Sequence, residues 1–284
     1  MLRGRTAIIT GAGRGVGASA ARLFGREGAR LVLNDLDEAE AEASAAAVRE
    51  AGGEAVAVGG SVSDPAVPDA LVAAALDKYG APDVLVNNAG FLWDGMLHKM
   101  TDQQWSAVLD CHLSAPFKLI RSAAPHMREA ARTEIEQEGF ARDRAIVNVS
   151  STSGLHGALG QANYAAAKAG VTGLTKTIAK EWGALGVRAN AVAFGLIDTR
   201  MTNAFAEGTN VAVAGEAIPQ GVPEHVAKMW QSKQFLQMAV PLARRGASQP
   251  LLSTCRRHLQ SSRSIAKRHG APVGLASTAV KPSP

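Results

Sequence analysis

Three side chains in one short stretch could move a proton to or from an oxygen atom. Ser151, Tyr164 and Lys168 are separated by thirteen and then four residues within SSTSGLHGALGQANYAAAK. The alanine-rich run around the last two contains no proline and predicts a helix, which would place both on one face. A cation close to a phenol favours the phenolate and lowers its pKa. The pattern therefore indicates a tyrosine that acts as a general acid or base, whereas its structural alternative is an ordinary solvated helix face.

The beginning of the chain predicts a binding site for phosphate groups. A β-prone run over residues 5–10 ends at TGAGRGVG, and a helical pattern follows. Glycine lets the backbone approach an anion closely, and the amides at a helix N-terminus point toward it. The residues that we expect to contact a dinucleotide in this loop are Gly11, Arg14, Gly15, Val16 and Gly17.

An acidic residue follows the second predicted strand. That strand covers residues 30–34 and ends at Asp35. A carboxylate there can accept hydrogen bonds from both adenosine ribose hydroxyls and repels a 2′-phosphate, which favours NAD over NADP. The alternative is that Asp35 is the N-cap of the helix predicted for residues 37–51. The sequence leaves both interpretations open.

The first 195 residues alternate between strand and helix patterns. Such an alternation builds a parallel sheet with helices on both faces, and right-handed crossovers bring the carboxyl ends of the strands to one edge. We therefore predict an α/β fold, a single-domain Rossmann-type doubly wound sheet, whose ligand lies at that edge. Beyond those given above, the predicted strands cover residues 54–58, 83–87, 145–149 and 187–192, and the predicted helices cover residues 64–79, 101–109, 116–138 and 163–183, the polar end of the third being a solvated extension.

Composition narrows the class of protein. The 284 residues are 46% apolar and 19% charged, which is typical of a globular domain. No apolar run approaches the ~20 residues of a membrane span, so we expect no membrane association. The two cysteines, Cys111 and Cys255, have no metal-ligand spacing, and we expect reduced thiols, no metal ion and a cytoplasmic location.

Several motifs together resemble the short-chain dehydrogenase/reductase family over about residues 3–203. They are TGAGRGVG, the acid after the second strand, NNAG at residues 87–90, and the spacing of Ser151, Tyr164 and Lys168. Within that family, VLNDLD, GQANYAAAKAG and AFGLIDTRMT are most similar to NAD-linked 3-hydroxyacyl dehydrogenases and 3-oxoacyl-carrier-protein reductases.

The resemblance implies roles for individual residues. Tyr164 would be the general acid/base on an alcohol or ketone oxygen, Lys168 would lower the tyrosine pKa and hold the cofactor ribose, and Ser151 would hydrogen-bond the carbonyl. The further cofactor contacts that it implies are Ser61, Val62, Asn88, Ala89, Gly90, Gly195, Ile197 and Thr199, together with Tyr164 and Lys168.

Three positions depart from the family pattern. His112 stands where the family usually has an asparagine that holds a proton-relay water, and it either serves the same relay with a stronger pH response or is a packed helix residue. Ser61 stands where an acid commonly meets the adenine. Phe194 replaces the proline of the usual turn after the sixth strand.

The C-terminal part is unusual in charge. Residues 1–224 contain 20 basic and 25 acidic residues, whereas the last 60 contain ten basic residues and no acidic ones. We predict a catalytic domain at residues 1–246, with a mobile substrate lid at about 200–240, and an atypical basic tail at 247–284. The apolar residues expected in the lid are Phe205, Met229, Trp230, Phe235 and Met238.

The tail follows PLARRG, a phrase after which the family normally has a helix and a last edge strand. Our hypothesis is that the tail, in which that strand is missing, arises from a shifted reading frame or is disordered. The alternative is a true basic extension that binds an anionic partner such as nucleic acid.

The function expected from these observations is an NAD(H)-dependent interconversion of a secondary alcohol and a ketone. The substrate would be a small molecule, a 3-hydroxyacyl or 3-oxoacyl thioester or a similar compound. We expect a homodimer or homotetramer if the C-terminus permits, and no nucleic-acid partner. The alternative is a dinucleotide-binding protein whose catalysis is impaired by the altered C-terminus.

Overall fold

Six parallel strands form the main sheet in the part of the chain that the structure describes. The computed structural model describes residues 1–195, 197, 199–201, 210–213, 215–222 and 224. The strand order in the sheet is β3-β2-β1-β4-β5-β6, which confirms the predicted Rossmann-type architecture. The strands are β1 (Thr6–Thr10), β2 (Arg30–Asp35), β3 (Glu54–Gly59), β4 (Val84–Asn87), β5 (Arg144–Ser151) and β6 (Val187–Phe194).

Helices connect the strands and cover both faces of the sheet. The central strand β1 is buried at all five positions, as expected of a parallel strand between two helical layers. The helices are α1 (Gly15–Arg26), α2 (Glu38–Glu50), α3 (Val67–Tyr79), α4 (Asp102–Leu109), α5 (Ala115–Ala124), α6 (Ala130–Glu138), α7 (Thr152–His156) and α8 (Ala162–Trp182).

Two apolar cores lie on opposite sides of the sheet. Because side chains alternate along a strand, Ile8 joins the core under α3, α5 and α8, while Ala7 and Ile9 join the core under α1 and α2. Residues of β2 alternate in the same way. The sheet is therefore held rigidly from both sides, and the loops at its carboxyl edge have a fixed base.

The strand order reverses between β1 and β4. In open α/β sheets this reversal opens a crevice at the carboxyl ends of the two strands, and ligands bind there. The loops that follow β1, β4 and β5 all begin at that edge, because the strands that precede them are parallel and adjacent. The topology thus brings the glycine loop and the serine strand to the same side of the molecule.

The chain from α4 to α6 is one helical stretch with two wider turns. Pro125–Glu129 and Asp110–Ser114 adopt π-helical geometry, and the second of these carries His112. The predicted capping box at the start of α4 is present, with Thr101 and Gln104 bonded reciprocally. The polar end of the stretch is not simply solvated, because Glu134 on α6 accepts two hydrogen bonds, 2.7 and 2.8 Å, from the buried Arg144.

The segment after β6 contains an antiparallel hairpin. Its strands are β7 (Asn210–Val213) and β8 (Glu216–Pro219). Two predictions fall outside the described residues. One is the tail at 247–284 with its missing edge strand, and the other is the set of apolar lid residues, namely Phe205, Met229, Trp230, Phe235 and Met238.

Candidate active site

Residues from four elements converge at the carboxyl edge of the sheet. Gly11 follows β1, Asn88 follows β4, and Ser151 ends β5. Helix α8 packs against β5 and β6 and carries Tyr164 and Lys168 past the same edge. The predicted catalytic and cofactor residues therefore share one region of the molecule.

The glycine loop has the geometry of an anion site. Gly11 and Gly15 have φ of +61° and +55°, a region that residues with side chains rarely adopt. A Cβ at Gly17 would lie 2.0 Å from the Gly11 carbonyl oxygen, so only glycine fits there. The first turn of α1 contains no acidic residue, and the Arg14 side chain does not cap it. Its amides are thus suited to the phosphates of a dinucleotide, and the residues present fit that group.

Asp35 forms a hydrogen bond with the glycine loop and does not cap a helix. Its Oδ2 accepts a hydrogen bond from the Gly13 amide at 2.9 Å, and its Oδ1 accepts one from the Asp37 amide at 3.3 Å. The cap of α2 is Asp37, whose carboxylate accepts from the Ala39 amide at 3.1 Å. The N-cap interpretation of Asp35 was therefore wrong by two residues.

Arg14 is held by acidic side chains of α2 and its cap. Its Nη2 lies 2.6 Å from Glu40 Oε1 and 3.7 Å from Asp37 Oδ2. The hydrogen bond from Arg14 lowers the pKa of Glu40 from its usual value. The Arg14 guanidinium, which could meet a 2′-phosphate, is thus already paired with carboxylates.

The NNAG turn joins the loops after β1 and β4. Asn88 Nδ2 donates to the carbonyl oxygens of Thr10 and Gly11 at 3.0 and 2.9 Å. The Thr10 hydroxyl accepts from the amides of Asn88 and Ala89, each at 3.1 Å. These bonds hold the floor of the predicted cofactor site, because they satisfy loop backbone groups that would otherwise lack partners.

The Ser151 side chain lies close enough to the Tyr164 hydroxyl to lower the pKa of the phenol through a hydrogen-bonding interaction. Ser151 is also the N-cap of α7, and its Oγ accepts from the Ser153 amide at 3.1 Å. Because that contact uses the oxygen of Ser151 as an acceptor, its proton is left for Tyr164 or for a bound carbonyl oxygen. The arrangement presents two hydroxyl donors to one point.

Lys168 is buried beside Tyr164. Its Nζ donates to the Val149 carbonyl oxygen at 2.6 Å and lies 5.6 Å from the centre of the Tyr164 ring. Burial raises the pKa of Tyr164 to about 12, and it lowers the pKa of Lys168 to about 8. The pKa of Tyr164 is raised overall because loss of water around the phenolate outweighs the interaction with Ser151.

His112 packs against the catalytic candidates. Its ring meets the Tyr164 ring edge-on with centroids 5.0 Å apart, and a Cβ at Gly90 would lie 2.3 Å from its Cε1. Its Nε2 lies 2.8 Å from the Phe91 carbonyl oxygen and 3.3 Å from the Phe91 amide nitrogen, and the shorter contact favours a proton on Nε2. Its Nδ1 is buried without a hydrogen-bond partner. Burial, assisted by Lys168, lowers the pKa of His112 well below its usual value. The expected titration near neutral pH is thus wrong, and the ring is neutral with a free acceptor.

Asp94 and Gln161 are site residues that the sequence interpretation missed. Gln161 Nε2 donates to Asp94 Oδ2 at 3.0 Å, and Gln161 Oε1 accepts from the Ser153 hydroxyl at 3.0 Å. Gln161 is 6% exposed. A polar residue directly before a catalytic helix was a signal for it, but the partner is 67 residues away in sequence and only the fold reveals it.

A ladder of buried polar side chains was also missed. Asn148 on β5 accepts from Asn87 Nδ2 at 2.8 Å and donates to the Thr175 hydroxyl at 2.8 Å. Ser150 donates to the Lys168 carbonyl oxygen at 2.8 Å. These bonds tie β4, β5 and α8 together. An asparagine inside the apolar run AIVNVSS was the available signal, because a buried amide requires partners.

The other predicted cofactor residues border the same crevice. Ser61 and Val62 follow β3, and Val62 packs in a cluster that includes Tyr164. Gly195, Ile197 and Thr199 follow β6. A Cβ at Gly15 would lie 3.7 Å from Thr199 Cγ2, which places this segment beside the glycine loop. Val16 is in the first turn of α1, and Phe194 pairs in register with Ser151.

The hairpin segment contacts the loop after β4 through Val213, which packs in one apolar cluster with Phe91, and through Gln220. Gln220 is 2% exposed, and its amide exchanges two hydrogen bonds of 3.1 Å with the backbone of Leu92. These bonds place part of the predicted lid region against the loop that carries Asp94.

No group of three or more His, Cys, Asp or Glu side chains among the described residues has an arrangement that could hold a metal ion. None of the helices described is both long and apolar enough to cross a bilayer. Cys111 is buried as a free thiol.

Comparison with known proteins identifies relatives over most of the chain. Residues 5–210 match the short chain dehydrogenase family. A hydroxyacyl-CoA dehydrogenase from Mycobacterium tuberculosis is 40% identical over 235 residues, which cover 81% of this chain and 72% of that protein. A 3-oxoacyl-acyl-carrier-protein reductase from Synechocystis is 38% identical over 230 residues, 80% of this chain and 87% of that protein. The corresponding reductase from Thermotoga maritima is 37% identical over 231 residues, with coverage of 80% and 89%.

The fold and the converging hydroxyl groups define a Rossmann-type oxidoreductase that binds a nicotinamide dinucleotide. The chain belongs to the short-chain dehydrogenase/reductase family, and it acts on an alcohol or keto group. The resemblance inferred from the sequence motifs is thereby confirmed.

Proposed function

We propose that this protein interconverts the hydroxyl and keto forms of a 3-hydroxyacyl or 3-oxoacyl thioester, or of a similar compound, with NAD(H). The observation that carries the proposal is the approach of the Ser151 side chain to the Tyr164 hydroxyl, one helical turn from the buried Lys168 and beside the glycine loop. Two donors aimed at one oxygen stabilise negative charge that develops there in the transition state.

Tyr164 would be the proton donor in ketone reduction. Its raised pKa keeps the phenol protonated at neutral pH, which suits donation to an oxygen that gains charge. Ser151 would donate a second hydrogen bond to the same oxygen, and the nicotinamide, when bound, supplies or accepts the hydride. The buried Lys168 ammonium would favour transient negative charge on Tyr164 during proton transfer.

The substrate class is supported by the relatives and by the surface beside the site. The relatives are named for hydroxyacyl-CoA and 3-oxoacyl-carrier-protein substrates. In this chain, a backbone hydrogen bond of 2.8 Å joins Gly95 to Gly160 and brings two loops together. Their exposed large apolar side chains, which suit an acyl chain, are Met96, Leu97, Leu155 and Leu159.

NAD is proposed over NADP. Asp35 lies at the glycine loop, where its carboxylate can accept ribose hydroxyls and would repel a 2′-phosphate. Arg14 is paired with Glu40 and Asp37, so its charge is largely compensated. Tighter binding of NADP⁺ than NAD⁺ to the purified protein would contradict this part of the proposal.

His112 is proposed to take part in the proton relay from Lys168. The support is its buried Nδ1, an acceptor without a partner, next to the Tyr164 ring and close enough for the lysine charge to affect its pKa. His112→Asn should retain most activity because an amide can also bind water, whereas His112→Ala should lose it. Equal activity of the two variants would contradict the relay.

The experiment that tests the function uses a panel of 3-oxoacyl thioesters and simple ketones. NADH oxidation is measured for the wild type and for Tyr164→Phe, which keeps the ring and removes the hydroxyl. We expect turnover on a thioester that falls by about 10²–10⁴-fold in the variant. NADH binding without turnover on any compound would instead favour the catalytically impaired binding protein, which no contact in the described residues supports. Size-exclusion chromatography tests the proposed homodimer or homotetramer.

A further inference from the structure

Two loops that carry no predicted catalytic residue meet beside the Ser151–Tyr164 pair. The Gly95 amide donates to the Gly160 carbonyl oxygen at 2.8 Å, and Gly95 forms an isolated β-bridge with Gln161. The loop after β4 is thus fastened to the segment that leads into α8. The proposed function does not account for this junction.

A chain of hydrogen bonds runs from this junction to Ser151. Asp94 Oδ2 accepts from Gln161 Nε2 at 3.0 Å, and Gln161 Oε1 accepts from the Ser153 hydroxyl at 3.0 Å. The Ser153 amide then donates to Ser151 Oγ at 3.1 Å. Each link has a defined direction, because a carboxylate only accepts and the glutamine amide must turn its nitrogen toward it. The chain therefore holds Ser153 in place, and the Ser153 amide occupies one acceptor position of Ser151 Oγ.

The same junction holds the first turn of the helix that carries Tyr164. Gln161 directly precedes α8, and its carbonyl oxygen accepts from the Ala165 amide at 2.7 Å. Asn163, which is fully buried, donates to the carbonyl oxygens of Trp93 and Gln104 at 3.1 and 3.0 Å. Tyr164 follows directly, so its backbone is fixed from the side of the loop after β4.

Gln161 needs both of its partners. Its side chain is almost completely buried, and although Asp94 is exposed as a residue, its carboxyl is desolvated enough for burial to raise its pKa. Removing one partner of a buried amide leaves a polar group unsatisfied, and the side chain then turns away or the loop shifts. Either change would reach Ser151 through Ser153.

We propose that Asp94 and Gln161 are positioning residues that set the distance and direction between the Ser151 and Tyr164 hydroxyl groups. They do not touch the reacting atoms but act through Ser153 and the first turn of α8. This inference rests on the proposed function for its effect on turnover, and on the hydrogen-bond chain for its effect on the site.

Exchanging the carboxylate of Asp94 and the amide of Gln161 distinguishes a positioning role of their hydrogen bond from a general effect on packing. Gln161→Glu places a carboxylate against that of Asp94, so the link repels, although the Ser153 hydroxyl can still donate to residue 161. In Asp94→Asn/Gln161→Glu, the amide introduced at position 94 donates to the carboxylate introduced at position 161. The number of charges then equals that of the wild type, and every link has a donor and an acceptor again.

The test measures kcat with a 3-oxoacyl thioester and NADH, and the dissociation constant of NADH by fluorescence. We expect Q161E to lower kcat by up to about 100-fold, the effect of a displacement of roughly 1 Å in an active site. The double variant D94N/Q161E should recover to within about fivefold of the wild type, and the NADH dissociation constant should stay within about twofold in both, because the chain does not reach the glycine loop. A double variant as slow as Q161E, or an unchanged kcat in Q161E, would overturn the proposal.

A second measurement needs no turnover. The sequence contains two tyrosines, Tyr79 and Tyr164, so carbon-13 labelling of the phenol gives two NMR signals, and Tyr79→Phe assigns them. The Tyr164 signal should shift in Q161E and return in D94N/Q161E. Wild-type protein without activity on any thioester would refute the proposed substrate, while the position of this signal would still decide on the hydrogen-bond chain. An unshifted signal in Q161E would count against positioning.

Discussion

Replacing Lys168 by methionine should change the stability of the fold in opposite directions at neutral and alkaline pH. The side chain is 4% exposed, and burial lowers the pKa of its ammonium from the usual 10.5 to about 8. A pKa difference of this size corresponds to about 3.4 kcal/mol by which burying the charge destabilises the folded state. Methionine has a similar length and carries no charge, so the variant removes this term.

A second contribution to the free energy of unfolding favours the wild type. The ammonium donates to the Val149 carbonyl oxygen at 2.6 Å, and methionine cannot replace that bond. A hydrogen bond from a charged donor contributes about 1.5–3 kcal/mol. At pH 7 the free energy gained by no longer burying the ammonium is therefore slightly larger than the free energy lost with its hydrogen bond. We expect Lys168→Met to be more stable than the wild type by about 1 kcal/mol. Such a gain on removal of an active-site group is a common trade-off between stability and function.

The pH dependence follows from the direction of the pKa shift. A lysine with a lowered pKa in the folded state destabilises fully below about pH 8, and this effect is relieved as the pH rises through 8 toward 10.5. Between pH 7 and pH 10 the wild type should gain about 2.5 kcal/mol relative to the variant. The order of stability should thus reverse, with the wild type more stable at pH 10.

Urea unfolding followed by tryptophan fluorescence at pH 7 and pH 10 measures both differences. Lys176→Met is the matched control, because Lys176 is exposed on the same helix and its replacement should change stability by less than about 0.5 kcal/mol at either pH. A difference between wild type and Lys168→Met that is the same at both pH values would refute the assignment of a buried, destabilising ammonium.

Three other variants test separate parts of the structure. Glu40→Gln should release Arg14 and raise the affinity for NADP⁺ relative to NAD⁺ about fivefold, measured by calorimetry. Glu134→Gln should lower the free energy of unfolding at pH 7 by about 2–3 kcal/mol, because it leaves the buried Arg144 unpaired. Since Arg144 lowers the pKa of Glu134 to about 2, this difference should be present above about pH 4.5 and shrink as the pH falls toward 2. Gly17→Ala should abolish dinucleotide binding or destabilise the fold by about 1–3 kcal/mol or more, because the new Cβ would overlap the loop backbone.

Each of these variants has a control on the same or a similar element. Glu42→Gln removes an acid of α2 that pairs with Arg49, and it should leave the NADP⁺ to NAD⁺ ratio unchanged. Glu136→Gln on α6 should be neutral, since that side chain is 69% exposed. Gly173→Ala has open space around it and should stabilise slightly. A variant that behaves like its control would contradict the contact assigned to it.

Regular elements near the site were predictable because their signals are local. Strand β1 is an apolar run between polar residues, and the capping box at Thr101 depends on residues three positions apart. The helix predicted from residue 64 begins instead at Val67, because Asp64 accepts from the Ala66 amide and forms a turn before the helix. The start of such a helix depends on whether the Asp64 side chain caps the helix or closes a turn before it. The sequence pattern is the same in both cases and does not distinguish them.

Protonation states were not predictable in the same way. The spacing of Tyr164 and Lys168 places both on one helix face, and it suggested that the charge of one would lower the pKa of the other. The β5 strand and the loop after β4 bury both groups instead, and burial raises one pKa and lowers the other. The same burial makes His112 neutral. Desolvation depends on atoms from distant segments, which no local pattern contains.

The sequence by itself determined the order of strands and helices, the glycine turn and the identity of the three polar residues of the site, because periodicity, glycine and helical spacing act over a few residues. Only the tertiary structure decided that Asp37 caps α2 while Asp35 binds the glycine loop, that Arg14 is paired with Glu40, and that Asp94 reaches Gln161. Apart from the cap of α2, which joins residues two positions apart, these contacts join segments far apart in the chain. Their partners are selected by the parallel packing of the sheet, which brings the carboxyl ends of its strands together.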